Sequence, residues 1–144
     1  MDKKSVVFVA DLSYMEKLEV ALKSLCAHQG HWKIYVLNEN LPTECFALMN
    51  RRLETMASEV VNCRVSAESF KAFSLPSAHI HYATFFRYVI PDFVQENRVL
   101  YLDSDMIFTQ DLSPLFEVDL NGFGIGAVVD CPTTTEGFNA GLMV

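Results

Sequence analysis

The sequence predicts an α/β protein of the doubly wound kind, with a mixed, mainly parallel sheet flanked by helices. Three observations carry that expectation: continuous apolar runs of strand length, helical stripes that alternate with them, and no internal repeat, linker or low-complexity tract between them.

Ser5-Val6-Val7-Phe8-Val9-Ala10 is apolar almost throughout, as a parallel strand covered on both faces should be. It stops at Asp11. Ser13-Tyr14-Met15-Glu16 then has the spacing of a capping box and predicts a helix from Tyr14. Tyr14, Met15, Leu18, Ala21, Leu22, Leu25 and Cys26 follow the three-four spacing of a buried stripe, and Gly30 is expected to end the helix. Residues 32–37 return as a second apolar strand, which completes a right-handed βαβ unit. Leu41-Pro42-Thr43-Glu44 opens a second helix with Phe46, Met49, Leu53 and Met56 on one face, and residues 59–65 form a third strand. Ligands of such sheets bind at the carboxyl ends of strands, so Ala10-Asp11 is a candidate ligand edge.

Residues 66–77 are less regular, with Phe70, Phe73 and Leu75 as core anchors. A helix from Ser77 or His79 would place Ile80, Ala83, Thr84, Arg87 and Tyr88 on one stripe, until Pro91 ends or redirects it. An arginine in that stripe snorkels, pairs with a core carboxylate, or binds an anion. In residues 98–108 two acids, Asp103 and Asp105, interrupt an apolar run. Alternate side chains of an extended chain share a face, with Cβ atoms about 6–7 Å apart, so the pair can close on one divalent cation. The residues alone equally allow a tight turn with Ser104 at its tip and both acids in water. Further on, residues 111–116 read as a short turn or helix. Residues 123–130 read as a buried strand containing Gly124 and Gly126, residues 131–137 as a loop, and residues 138–144 as the start of another core element. The two glycines make no dinucleotide fingerprint, which needs its glycines after the strand and before a helix.

A chain of 144 residues that is 51% hydrophobic can bury one core, and one domain over residues 1–144 is expected. A formal charge of −7, with only Lys3-Lys4 and Arg51-Arg52 adjoining, argues against nucleic acid as the main partner and suits a bound cation or a basic partner. No apolar run approaches the roughly 20 residues of a membrane span, the amino terminus lacks a signal-peptide pattern, and a cytoplasmic location is expected. Cys26, Cys45, Cys63 and Cys131 are spaced as reduced core residues, and His79-Ile80-His81 is a weak metal signal alone. Because the chain stops inside an apolar, strand-like run, Leu142-Met143-Val144, it reads as a portion of a longer protein.

Four motifs in order resemble the family-8 retaining glycosyltransferases, which include glycogenin and bacterial lipopolysaccharide galactosyl- and glucosyltransferases. Phe8-Val9-Ala10-Asp11-Leu12-Ser13-Tyr14 is similar to the family's strand and Ala-Asp-x-Asn-Tyr, with Ser13 in place of Asn. Residues 79–87 resemble its helix carrying Thr-Tyr-x-Arg, Leu102-Asp103-Ser104-Asp105 its Asp-x-Asp signature, and Phe138-Asn139-Ala140-Gly141 its Phe-Asn-(Ala/Ser)-Gly segment. The resemblance implies a GT-A fold that binds nucleotide-diphospho-sugars, here lacking its C-terminal acceptor side. It further implies metal-dependent transfer of a hexose from a UDP-sugar, with retention, to a saccharide or lipid-linked saccharide.

By the same resemblance Ala10, Asp11, Ser13 and Tyr14 meet the nucleotide, with Asp11 on the uracil and Tyr14 lining its pocket. Arg87 approaches the donor sugar or its phosphates. Asp103 and Asp105 bind Mn²⁺ (or Mg²⁺), while Ser104, Asn139 and Ala140 line the donor pocket. His79 and Asp130 fall on the acceptor side. The family's further catalytic residue and metal-ligating His are expected beyond Val144. The longer protein is expected to be membrane-peripheral at most, and the open sheet edge invites self-association. Two other classes remain: a catalytically silent nucleotide-binding module, and a haloacid-dehalogenase-like phosphatase with the first Asp as nucleophile.

Overall fold

In the computed structural model, which describes residues 3–28, 30–74, 82–131 and 134–144, the apolar runs become the strands of one six-stranded sheet. In chain order these are β1 (Lys4–Val9), β2 (Trp32–Asn38), β3 (Glu59–Arg64), β4 (Leu100–Leu102), β5 (Ala127–Cys131) and β6 (Thr134–Met143). Their spatial order is β3-β2-β1-β4-β6-β5. The first four pair in parallel, and β6 runs antiparallel to both β4 and β5. The expected mixed, mainly parallel sheet is therefore present.

Period-two geometry persists inside the continuous apolar runs. Val6 and Phe8 of β1, Ile34 and Val36 of β2, and Leu100 and Leu102 of β4 face one core, shared with Leu18, Leu22 and Leu25 of α1 (Met15–Cys26) and Phe46, Met49 and Leu53 of α2 (Thr43–Leu53). Val7, Tyr35, Leu37 and Tyr101 face the other, with Phe70 and Phe86. Phe8, Leu18, Leu25 and Trp32 are fully inaccessible, and burying each contributes about 1.5–3 kcal/mol. A knot of polar contacts closes the amino end of the sheet. Ser5 Oγ (3.0 Å), Lys33 Nζ (3.1 Å) and the Tyr35 hydroxyl (3.0 Å) all donate to Glu96 Oε1. Burial pushes the Glu96 carboxyl up, but the bonds from Lys33, Ser5 and Tyr35 outweigh it and hold the group down at about 2.

Several local expectations are corrected. Asp11, not Ser13, caps the first helical turn: its Oδ1 accepts from the backbone N–H of Ser13 (2.9 Å) and Tyr14 (3.2 Å), leading through a 3₁₀ turn, Leu12–Tyr14, into α1. An aspartate cap two positions earlier satisfies the same kind of orphan donors. Gly30 does not end α1, which stops at Cys26. A Cβ on Gly30 would stand 2.8 Å from the Trp32 indole, so close approach to that ring explains the glycine. Met56 lies past α2 in a 3₁₀ turn and is exposed, unlike Phe46, Met49 and Leu53. Residues 82–89 form a 3₁₀ segment, Tyr82–Val89, in which Phe86 is the buried residue and Tyr88 is exposed. Pro91 redirects the chain, lying in the first turn of α3 (Ile90–Phe93). Phe70 is a core anchor and Phe73 is not; Leu75, Ser77 and His79 lie outside the described residues.

The largest difference concerns the last two strands. Gly124 and Gly126 precede β5 instead of lying within it, and residues 134–137 belong to β6 instead of a loop. Neither strand is fully covered: Val128 and Val129 of β5 and Phe138 of β6 are all more than half exposed, as are Phe123 and Ile125 just before β5. β5 is an edge strand, and the β5–β6 connection is a hairpin that brings no covering helix.

Candidate functional site

β1 and β4 are parallel neighbours, with Val7 opposite Tyr101, so their carboxyl ends open side by side. A pocket of about 210 Å³ lies there. The end of β1 contributes Val9, Ala10, Asp11 and Tyr14, the 3₁₀ segment Ala83, Thr84 and Arg87, and the end of β4 Tyr101, Asp103, Ser104 and Asp105. This is the strand edge at which doubly wound sheets take their ligands.

Backbone and side-chain bonds fix each wall. Ala10 N–H donates to the Leu37 carbonyl at 3.1 Å, carrying the β1–β2 ladder past the end of the strand. Asp11 Oδ1 also accepts from Ser13 Oγ at 2.6 Å, so Ser13 braces Asp11 and does not itself line the pocket. The ammonium of Lys17 lies 4.2 Å over the Tyr14 ring, on the approach to the same wall. β4 stops at Leu102, so Asp103 and Asp105 are not alternate residues of one strand; they share the pocket because the chain turns after Leu102. The turn and the pair of pocket carboxylates, alternatives in the sequence, coexist. Ser104 at the turn is buried, not in water, and its Oγ donates to the Val9 carbonyl at 2.8 Å, tying the acidic turn to β1.

Asp103 is held by two hydrogen bonds: its N–H donates to the Gly141 carbonyl (2.8 Å) and its Oδ1 accepts from the Tyr101 hydroxyl (2.9 Å). Gly141 packs so closely that a Cβ there would stand 2.9 Å from Asp103 Oδ2. Burial pushes the Tyr101 phenol well above its ordinary range, so it stays a donor to that carboxylate. Arg87 pairs with no core carboxylate among the described residues. Its Nε donates to the Thr84 carbonyl (3.0 Å), its NH1 to the Ala140 carbonyl (3.3 Å), and its guanidinium lies 4.8 Å over the Tyr101 ring. The charge is placed by neutral partners and left open to an anion.

Asn139 and Ala140 do not line the pocket. Asn139 Oδ1 accepts from Gly141 N–H (2.8 Å) and its amide reaches Asp130 Oδ1 at 3.5 Å, which puts Asp130 on exposed β5 beside it; Ala140 acts through the carbonyl bonded to Arg87. His79 lies outside the described residues. Asp103 and Asp105 offer oxygen ligands at the pocket wall, and among the described residues no third His, Cys, Asp or Glu joins them. Two carboxylates suit Mg²⁺ or Mn²⁺, which keep waters and take oxygens from a bound diphosphate.

Tyr101, Thr84, Ala83 and Gly141 are not among the site residues expected from the sequence, although Ala83 and Thr84 lie on the expected stripe with Arg87 and Gly141 in the Phe138–Gly141 segment. Tyr101 was findable, since residues 101 and 103 share a face of an extended chain. The contact of Gly141 with Asp103 was not legible locally, because the two lie 38 positions apart in the chain.

A profile of the family described as Glycosyl transferase family 8 matches residues 5–144. The chain belongs to that family. Glycosyltransferase GlyB of Streptococcus pneumoniae is 46% identical over 148 residues, covering 100% of this chain and 36% of its own length, and GlyE of the same species is 43% identical, over 99% and 35%. The crystal structure of apo GlyE aligns with a TM-score of 0.83 at 41% identity, over 99% of this chain and 33% of that one. The galactosyltransferase LgtC, crystallised with donor and acceptor sugar analogues, aligns with a TM-score of 0.84 at 28% identity, over 96% and 56%. The fold is GT-A, as family membership predicts. The chain spans about a third of the length of the curated relatives it matches. Among the described residues no helix is long and apolar enough to cross a membrane.

Proposed function

We propose that the chain forms the nucleotide-sugar-binding domain of a metal-dependent, retaining glycosyltransferase that moves a hexose from a UDP-sugar to a saccharide or lipid-linked saccharide. One observation carries the reading: seven residues expected at the donor site, Ala10, Asp11, Tyr14, Arg87, Asp103, Ser104 and Asp105, line one pocket at the carboxyl ends of β1 and β4. Asp11 has one oxygen engaged in capping, which leaves the other to meet a base edge, and Tyr14 provides an adjacent ring face. Arg87 supplies a fixed positive charge for the diphosphate or the sugar. A divalent cation held by Asp103 and Asp105 would supply charge stabilisation for the departing nucleoside diphosphate. Asn139, Ala140 and Gly141 form the support behind that wall, and Asp130 lies on the side where an acceptor would arrive.

A phosphatase reading is disfavoured because the family 8 profile matches residues 5–144 and the acidic pair follows the fourth strand of the chain, not the first. The silent-module reading draws on the two-carboxylate donor set. Incubating the whole encoded protein with Mn²⁺, a panel of UDP-hexoses and oligosaccharide acceptors separates the two. Sustained UDP release, with the anomeric configuration of the product retained by NMR, is the expected result. Binding of UDP without turnover on any acceptor would leave a silent module, and absence of UDP binding would contradict the reading outright.

A further inference from the structure

Arg87 and Asp103 carry opposite charges into the pocket and do not touch each other through a salt bridge among the described residues. Both touch Tyr101. Its hydroxyl donates to Asp103 Oδ1 at 2.9 Å, and the face of its ring lies 4.8 Å from the Arg87 guanidinium. The residue is only 5% exposed, and its backbone is clamped on both sides, opposite Val7 of β1 and Met143 of β6. A phenol rooted in the middle of a sheet cannot drift, so both groups resting on it inherit its position. A free carboxylate on a turn would instead sample several rotamers, and ordering it on ligand binding costs free energy.

We propose that Tyr101 is a positioning residue for both charged walls of this pocket, its hydroxyl setting the Asp103 carboxylate and its ring face seating Arg87. The inference rests on the donor-site reading given above, and it divides one side chain into two separable functions. The hydroxyl acts on the cation side, because it occupies Asp103 Oδ1 and leaves Oδ2 without a hydrogen-bond donor among the described residues. The ring acts on the anion side, because a cation–π contact places the guanidinium without neutralising it. Thr84 and Ala140 complete that placement through their carbonyls.

Tyr101→Phe removes the hydroxyl and keeps the ring; Tyr101→Leu removes both. The probes are Mn²⁺ alone, followed by the loss of the free-ion EPR signal, and UDP in metal-free buffer, followed by calorimetry, on the whole encoded protein. Tyr101→Phe is expected to bind Mn²⁺ about tenfold more weakly, as loss of a partner behind a metal ligand typically does. Its metal-free UDP affinity and its thermal midpoint should stay close to wild type. Tyr101→Leu is expected to lose metal-free UDP affinity as well, by about threefold. Wild-type Mn²⁺ affinity in a folded Tyr101→Phe protein would overturn the inference and leave the donor-site reading standing. If the unmodified protein binds no Mn²⁺ while Asp103 and Asp105 are intact, the donor-site reading fails and the inference with it.

Discussion

The two halves of the sheet start from similar sequence and end in different environments. Val6-Val7-Phe8 of β1 is fully inaccessible, whereas Val128 and Val129 of β5 are 59% and 58% exposed. Hydrophobicity of the run does not distinguish them. The connections do: parallel strands require crossovers, and α1 and α2 arrive with them to cover β1 and β2, whereas β5 and β6 are joined as a hairpin that carries nothing over the faces. The pocket lies on the seam. Its walls come from the ends of β1 and β4 and from the Tyr82–Val89 segment, and its backing, Gly141 and the Ala140 carbonyl, comes from the exposed half.

The contrast is open to test by substitution, beginning where the effect should be greatest. Phe8→Ala removes a fully buried ring in edge contact with Phe108 and should cost about 3–5 kcal/mol in urea unfolding; a loss below 1 kcal/mol would break the distinction between the halves. Gly141→Ala tests the seam itself. Its Cβ would stand 2.9 Å from both Asp103 Oδ2 and Asn139 Oδ1, so a loss of about 1–3 kcal/mol and weaker Mn²⁺ binding are expected together. Normal metal affinity in that variant would show that Asp103 is not held from the β6 side.

Acid titration probes the amino end of the parallel half. Glu96 is held near 2 in the folded chain against an ordinary 4.5, so its contribution is fully present above about pH 4.5 and is lost as pH falls through 2. Partial exposure screens the effect to about 1 kcal/mol. Glu96→Gln should flatten that part of the stability–pH curve, and an unchanged slope would remove Glu96 from the account. The smallest change belongs to the edge: Val129→Ser should alter stability by no more than about 0.5 kcal/mol, which calorimetry can check against Phe8→Ala.

The parallel half was readable because its strands and helices are each marked locally, by unbroken apolar runs and by stripes such as Leu18, Leu22 and Leu25. The acidic turn was readable as chemistry before its geometry was known, since Asp103 and Asp105 interrupt an apolar stretch. What sequence did not convey were facts set by distant neighbours. An apolar run such as Ala127-Val128-Val129 is the same string at an edge as in a core, and only pairing order tells which. Gly30 carries the usual helix-stop signal but answers to the Trp32 ring. Ser13 stands in a capping pattern, yet Asp11 two positions earlier competes for the same donors and takes them. The 3₁₀ winding of Tyr82–Val89 likewise turned the expected stripe so that Phe86 went inward and Tyr88 outward.

The central claim is that the carboxylates at the end of β4 and the pocket beside them form one metal-assisted nucleoside-diphosphate site. Asp105 is exposed, so Asp105→Ala should leave the fold intact while removing one ligand oxygen pair. UDP titrations of the whole encoded protein, with and without Mn²⁺, on wild type and Asp105→Ala, therefore test it most directly. The account predicts that Mn²⁺ strengthens UDP binding in the wild type and has no effect in the variant. Equal strengthening by Mn²⁺ in both proteins would contradict it.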